Sequence, residues 1–297
     1  MNITIVGPGA IGSLWAIKLL QAGHNVSLWS RSTDHSIDLS LDGQASLSFS
    51  NNNIEKLPAS DLIIFTVKAW QVEEATSPLL QHLDPDTILM FMHNGMGAVD
   101  QIATQIDAHP VVLATTTQAA FKPNRNNVSH TGIGQTQLGA FNLKGQQCTF
   151  LVDVLEHALP AVSWNPEIKT ALWTKLAINC AINPLTGLEQ IKNGELADKR
   201  FSEVLSSIIK ELTQVMHAEG ITCSFDELEI SVNKVIRETA QNNSSMQQDM
   251  FYQRKTEIDF ITGHLIKTAL KHQIEVPVNQ KLFELVKERE NRWNHQD

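Results

Sequence analysis

The sequence predicts an α/β fold, a parallel-sheet domain followed by an all-helical domain. Short apolar runs rich in β-branched residues recur through the first half, at Ile3–Val6, Asn25–Trp29, Asp61–Val67, Thr87–Met92 and Val111–Thr116, as suits buried parallel strands. The first run passes through a glycine-rich turn into a helical pattern over Ser13–Ala22. Beyond Pro166 the strand patterns stop, and long helical patterns take over at Ile168–Ile182, Phe201–Glu219, Phe225–Gln241 and Glu257–His272. The expected domains are 1–165 and 166–297, sizes that a chain of 297 residues accommodates.

The turn after Ile3–Val6 reads Gly7-Pro8-Gly9-Ala10-Ile11-Gly12. A G-x-G-x-x-G between strand and helix is the fingerprint of a Rossmann-type dinucleotide site. Gly7 permits the tight turn, Gly9 admits a pyrophosphate to the backbone, and Gly12 lets helix and strand pack closely. The second strand, Asn25–Trp29, ends in Ser30-Arg31-Ser32. An NAD site places an acid at this point, whereas a cation suits the 2′-phosphate of NADP. Arg31 therefore favours NADPH/NADP+, the alternative being a solvated surface arginine. Lys68 follows the Asp61–Val67 strand and Asn94 follows Thr87–Met92. Both lie at carboxyl ends of strands, where open α/β sheets bind ligands. His93, without a visible acid partner, reads as structural.

Between these elements, Leu39–Asn53 is expected to form a loop or short edge strands, Val128–Gly139 a hairpin, and Cys148–Leu159 a helix stopped by Pro160. The stretch Trp173–Pro184 reads as a helix closed by its proline. Almost every position is apolar except Lys175, Asn179 and Asn183, spaced four apart and so on one face. That line is either the solvent edge of an amphipathic helix or the wall of a site in which Lys175 serves as acid or anion clamp.

Composition excludes several classes. Hydrophobic residues make up 42% and charged residues 19%, as in a globular protein. A net charge of -9 disfavours nucleic acid as a partner. No run is long and apolar enough to span a bilayer. The N-terminal stretch lacks the pattern of a signal peptide, and Cys148, Cys180 and Cys223 form neither a metal-ligand spacing nor a disulfide pattern. A cytoplasmic protein without a metal site is expected.

With both halves read, the chain resembles the ketopantoate reductase (2-dehydropantoate 2-reductase) family over nearly its whole length. The motifs are the glycine turn, Val67-Lys68-Ala69-Trp70-Gln71, His93-Asn94-Gly95-Met96-Gly97, Leu172–Leu176 with Asn179 and Asn183–Thr186, Asn193–Leu196, Asn243–Asp249 and Thr256–Asp259. The resemblance implies an N-terminal Rossmann-type domain and a helical domain of the 6-phosphogluconate-dehydrogenase C-terminal type. It implies NADPH-dependent reduction of 2-dehydropantoate (ketopantoate) to (R)-pantoate, on the route to pantothenate and coenzyme A. Lys175 matches the catalytic proton donor, and Glu257 lies close to the reacting centre. Gly7, Pro8, Gly9, Ala10, Ile11, Gly12, Arg31, Lys68, Gln71, Asn94, Ala120 and Glu257 match cofactor contacts. Asn94, Lys175, Asn179, Asn183, Asn193, Asn242, Ser244 and Ser245 match substrate contacts. By its residues alone, Glu257 reads equally as an acid favouring a helix N-terminus. A monomer or homodimer acting on a small 2-oxo acid is expected. The rival readings are a reductase of a different 2-oxo acid and a non-catalytic NADP-binding sensor.

Overall fold

The chain, a computed structural model describing residues 1–293, forms two compact units. One comprises Met1–His93 with Ala98–Ile168, the other Asn94–Gly97 with Lys169–Asp297. The short Asn94–Gly97 excursion of the chain into the second unit was not part of the expected division at 165/166.

In order, the first unit contains β1 (Asn2–Val6), α1 (Ala10–Gln21), β2 (Asn25–Trp29), β3 (Ser36–Leu41), β4 (Leu47–Asn51), β5 (Leu62–Phe65), α2 (Val72–Leu80), β6 (Ile88–Phe91), α3 (Ala98–Gln101), α4 (Ala103–Ile106), β7 (Val111–Thr116), β8 (Ala119–Phe121), β9 (Asn127–Gly132), β10 (Thr136–Ala140), α5 (Leu151–Ala158) and β11 (Val162–Trp164). The strands order as β11-β10-β7-β6-β5-β1-β2-β4-β3-β9-β8. From β7 to β4 every pairing is parallel. The chain order reverses at β1, which pairs with β2 on one side and β5 on the other. Ile3, Ile5, Leu28, Leu62 and Ile64 are buried beneath α1, whose Leu14, Trp15 and Ile17 share their core. Removing large apolar side chains of this kind from water stabilises by about 1.5–3 kcal/mol each.

Local signals misled at two places in this unit. Residues 39–53 are not an edge: β4 lies between β2 and β3, and Leu39, Leu41 and Phe49 are buried core residues. Residues 128–139 are not a hairpin either. β9 pairs with β3 and β8 while β10 pairs with β7 and β11, so neighbours in sequence separate in space. The Cys148–Leu159 pattern becomes a 3-10 turn over Lys144–Phe150 leading into α5.

The second unit contains α6 (Ile168–Glu189) from Lys169 onward, α7 (Ser202–Ala218), α8 (Phe225–Glu238), α9 (Ser245–Phe251), α10 (Thr262–Lys271) and α11 (Pro277–Trp293). Helix α6 does not stop at Pro184, as expected, but continues through it to Glu189. Proline removes the donor to the preceding turn. The Thr186 hydroxyl bonds back to Ile182 O at 2.8 Å and Asn183 O at 3.2 Å, and burial of Ala181, Ile182 and Leu185 holds the segment against the core. The Glu257–His272 pattern is also broken, into a 3-10 turn over Ile258–Phe260 and α10, with Ile261 non-helical between them.

Two carboxylates staple the helices. Glu219, at the end of α7, accepts from Lys169 Nζ at 2.9 Å, Lys271 Nζ at 3.3 Å and His272 Nε2 at 2.7 Å. These bonds hold its carboxyl down to about 2. Its stabilisation is full above the ordinary carboxylate range and is lost as pH falls towards 2. Glu211, buried on α7, accepts from Val278 N at 2.8 Å, Asn279 N at 3.0 Å and Asn279 Nδ2 at 2.7 Å. It thereby caps the start of α11 from another helix.

Replacing Glu211 leaves those donors buried and unpaired, which costs about 1–3 kcal/mol each time such a group is orphaned. Glu211→Ala should lower the thermal midpoint of unfolding clearly, and Glu211→Gln, which keeps one acceptor oxygen, should lower it less. Calorimetric melts of the three proteins check this.

Candidate active site

The dinucleotide half is built at the carboxyl end of β1. Gly7 has φ +82°, and a Cβ there would lie 2.5 Å from Val67 Cγ1, so both conformation and space require glycine. At Gly12 a Cβ would meet Thr66 Oγ1 at 2.2 Å and Gly7 O at 2.7 Å. Thr66 ties the layers together, its hydroxyl donating to Gly7 O at 2.8 Å. Gly9 differs: the nearest atom to a Cβ there is Gly7 O at 3.9 Å. Packing therefore does not demand glycine at this exposed position, and the bare backbone leaves room at the α1 N-terminus. That end has no side-chain cap, so its first N–H groups remain for an anion, as a pyrophosphate requires. The residues present fit a dinucleotide.

Around the turn, Pro8, Ala10 and Ile11 are half-buried. Arg31 is exposed in the loop after β2. Asn51 and Asn52 shape that loop: Ser30 N donates to Asn52 Oδ1 at 2.8 Å, Asn52 Nδ2 to Ser32 O at 2.6 Å, and Asn51 Nδ2 to Asp34 O at 2.7 Å. Lys68 and Gln71 follow β5, and the Gln71 side chain folds back to accept from Lys68 N at 3.2 Å. Ala120 lies in β8 opposite His130.

Two residues of this half escaped the sequence reading. Lys122 donates to Pro8 O at 2.7 Å and Ser13 Oγ at 2.9 Å, and burial pushes its pKa down to about 8. Arg125 pairs with Asp34 and with Ser32. No spacing signals these contacts, which join residues more than ninety positions apart.

The second unit carries Lys175, Asn179 and Asn183 on α6. Lys175 and Asn179 are half-buried and Asn183 is 6% exposed, so the polar line is not the wet edge of its helix. Desolvation lowers the Lys175 pKa to about 8, opposed by the negative charge of Glu257. Glu257 is itself 4% exposed and accepts from Asn94 Nδ2 at 3.3 Å. Its neighbours fix it. Thr256 donates through N and Oγ1 to Glu290 at 2.8 and 2.7 Å, and Asp259 pairs with Lys287 at 2.9 Å. The Asn94 segment is held by Met96 N donating to Phe260 O at 2.8 Å. Gly95 lies so close that a Cβ would fall 2.4 Å from the same carbonyl.

Ser244 caps α9, accepting from Gln247 N at 3.0 Å, and bonds to Thr186 Oγ1 of α6 at 2.7 Å. Ser245 is exposed as the first residue of α9. Asn193 is buried; its N–H donates to Asn242 O at 3.0 Å and its Nδ2 to Thr239 Oγ1 at 2.9 Å. Its Oδ1 is buried without a hydrogen bond among the described residues. Asn242 itself is exposed. No group of His, Cys, Asp and Glu among the described residues is arranged to hold a metal ion.

Two family models match the chain: ketopantoate reductase PanE/ApbA over residues 3–142, and ketopantoate reductase PanE/ApbA C terminal over residues 167–290. The chain belongs to the ketopantoate reductase family. A 2-dehydropantoate 2-reductase of Vibrio cholerae is 52% identical over 294 residues, covering 99% of both chains. One from Yersinia pestis is 38% identical over 295 residues, covering 98% of this chain and 96% of its own. Among solved structures, D-mandelate dehydrogenase with NADH and anilino(oxo)acetate superposes with a TM-score of 0.91 at 24% identity, covering 99% of this chain and all (100%) of that one. A ketopantoate reductase from Ralstonia eutropha gives 0.89 at 24%, with 99% and 100% covered. At that identity these two establish the fold of the family.

The glycines of this reductase turn make opposite predictions. Gly12→Ala should destabilise the protein by about 1–3 kcal/mol through overpacking. Gly9→Ala should leave the melting temperature nearly unchanged yet weaken dinucleotide binding. Parallel melts and fluorescence titrations with NADPH check the contrast.

Proposed function

We propose that this chain reduces 2-dehydropantoate to (R)-pantoate with NADPH. The observation that carries the chemistry is the polar line of α6, in which the desolvated Lys175 ammonium lies within the field of Glu257 and one turn before Asn179. The substrate assignment is supported by likeness to the Vibrio cholerae reductase over the whole chain. Arg31, with no acid directly after β2, supports NADPH over NADH.

When bound, NADPH supplies the hydride to the substrate's ketone carbon. Gly7–Gly12, Arg31, Lys68, Gln71 and Ala120 would hold it. As negative charge grows on the carbonyl oxygen, the Lys175 ammonium stabilises it and donates a proton from Nζ. Desolvation brings the donor's pKa close to neutrality, which eases that transfer, while Glu257 keeps the side chain charged at pH 7. Asn179 and Asn183 offer amide donors and acceptors for the substrate's hydroxyl and carboxylate without adding charge. Ser245, Asn193 and Asn242 complete the substrate contacts, and Asn94 orients Glu257. Ser244 acts through its cap on α9. No helix among the described residues is long and apolar enough to cross a membrane. The free thiols of Cys148, Cys180 and Cys223 support a reducing, cytoplasmic setting. A monomer or a homodimer would serve this chemistry.

A different 2-oxo acid reductase and a cofactor sensor are separated by one assay, NADPH oxidation with a panel of 2-oxo acids. 2-Dehydropantoate should give the highest kcat/KM; another acid ahead of it would overturn the substrate, and no turnover would overturn the enzyme. Lys175→Ala should cut kcat by roughly 10²–10⁴, the usual worth of a general acid, while NADPH fluorescence titrations stay near native. Because only the ammonium donates, kcat should fall as pH rises through about 8. Glu257→Gln removes the charge that raises the lysine's pKa, so the alkaline limb should move to lower pH. A limb that stays in place would remove Lys175 as the titrating group.

A further inference from the structure

The turn joining β8 and β9 reaches two loops of the dinucleotide half at once. At its start, Lys122 Nζ is seated on Pro8 O of the glycine turn at 2.7 Å and on Ser13 Oγ of α1 at 2.9 Å. Near its end, Arg125 Nη2 donates to Ser32 Oγ and pairs with Asp34, both in the loop that follows Arg31. The turn is internally braced: Asn124 Oδ1 accepts from Asn126 N at 3.0 Å and Asn127 N at 2.9 Å, and Asn126 Nδ2 donates to Asp38 O at 2.7 Å. Arg125 is thus delivered to the Arg31 loop by a fixed scaffold.

We propose that Arg125 is a second guanidinium for the 2′-phosphate of the cofactor, exchanging its bond to Asp34 for one to the phosphate; this rests on the NADPH reading above. The side chains of Arg125 and Asp34 are 57% and 53% exposed. An ion pair so open contributes little to stability, so it yields readily to a competing anion. A 2′-phosphate carries more charge than a carboxylate and accepts the planar fork of arginine bidentately. Ser32, whose hydroxyl accepts from Arg125 and donates to Asp34 at 2.8 Å, is the pivot of the exchange.

The test is calorimetric binding of 2′,5′-ADP and of 5′-AMP to the full chain and its variants, with no turnover involved. Arg125→Ala should weaken 2′,5′-ADP roughly tenfold or more, the scale of a charge-assisted bond, and leave 5′-AMP within about twofold. Arg125→Lys should recover only part of the loss, since an ammonium lacks the fork. If Arg125→Ala leaves 2′,5′-ADP intact while Arg31→Ala weakens it, Arg125 has no such role and the NADPH reading stands. Equal weakening of both ligands would make Arg125 a brace of the loop and overturn the proposal. A native chain that binds 2′,5′-ADP no better than 5′-AMP would overturn the NADPH reading itself.

Discussion

An ammonium withdrawn from water is costly unless an opposite charge compensates it, and the second unit is arranged around that requirement. Lys175 lies in the field of Glu257, so Glu257 has to stay where it is. Its backbone is pinned on one side by Thr256 bonding to Glu290 and on the other by Asp259 pairing with Lys287, and both partners belong to α11. Asn94 reaches its carboxylate from the Asn94–Gly97 excursion, which docks on Phe260 O. The Thr-Glu-Ile-Asp motif thus divides its labour: the flanking Thr256 and Asp259 fix the segment, and Glu257 is the residue they present.

The first unit obeys a different constraint, the close approach of backbone layers. Gly12 brings α1 onto β1 and Thr66, and the Thr66 hydroxyl closes the gap by bonding to Gly7 O. Lys122 and Arg125 add charged contacts around this cradle. The two units therefore specialise. One shapes a backbone cradle, and the other holds an ammonium whose pKa desolvation lowers to about 8.

Features carried by short-range pattern were legible in the sequence. The turn Gly7–Gly12 and the strands Asn25–Trp29 and Val111–Thr116 fall where periodicity and glycine spacing put them. The four-residue spacing of Lys175, Asn179 and Asn183 does place them on one helix. What was not legible depends on partners distant in sequence. Helix α6 passes Pro184 because Thr186 and the core support the turn. The residues 128–139 split because β9 finds β3 and β10 finds β7. Helix α11 went unread because its cap, Glu211, lies sixty-seven residues before Val278. The contacts of Lys122 and Arg125 were hidden for the same reason.

The dependence on α11 has a consequence for the order in which the protein is made. Synthesis runs from the N-terminus, and domains tend to fold as they emerge. Until Pro277–Trp293 appears, Glu211 on α7 lacks all three of its donors and Thr256 lacks Glu290. A nascent chain can assemble the parallel sheet early, but the segment that carries Glu257 waits for the last helix. Support of the Lys175–Glu257 pair is in this way coupled to completion of translation. A ribosome that stops before Pro277 would release a chain with its glycine turn formed and its Lys175–Glu257 pair unsupported.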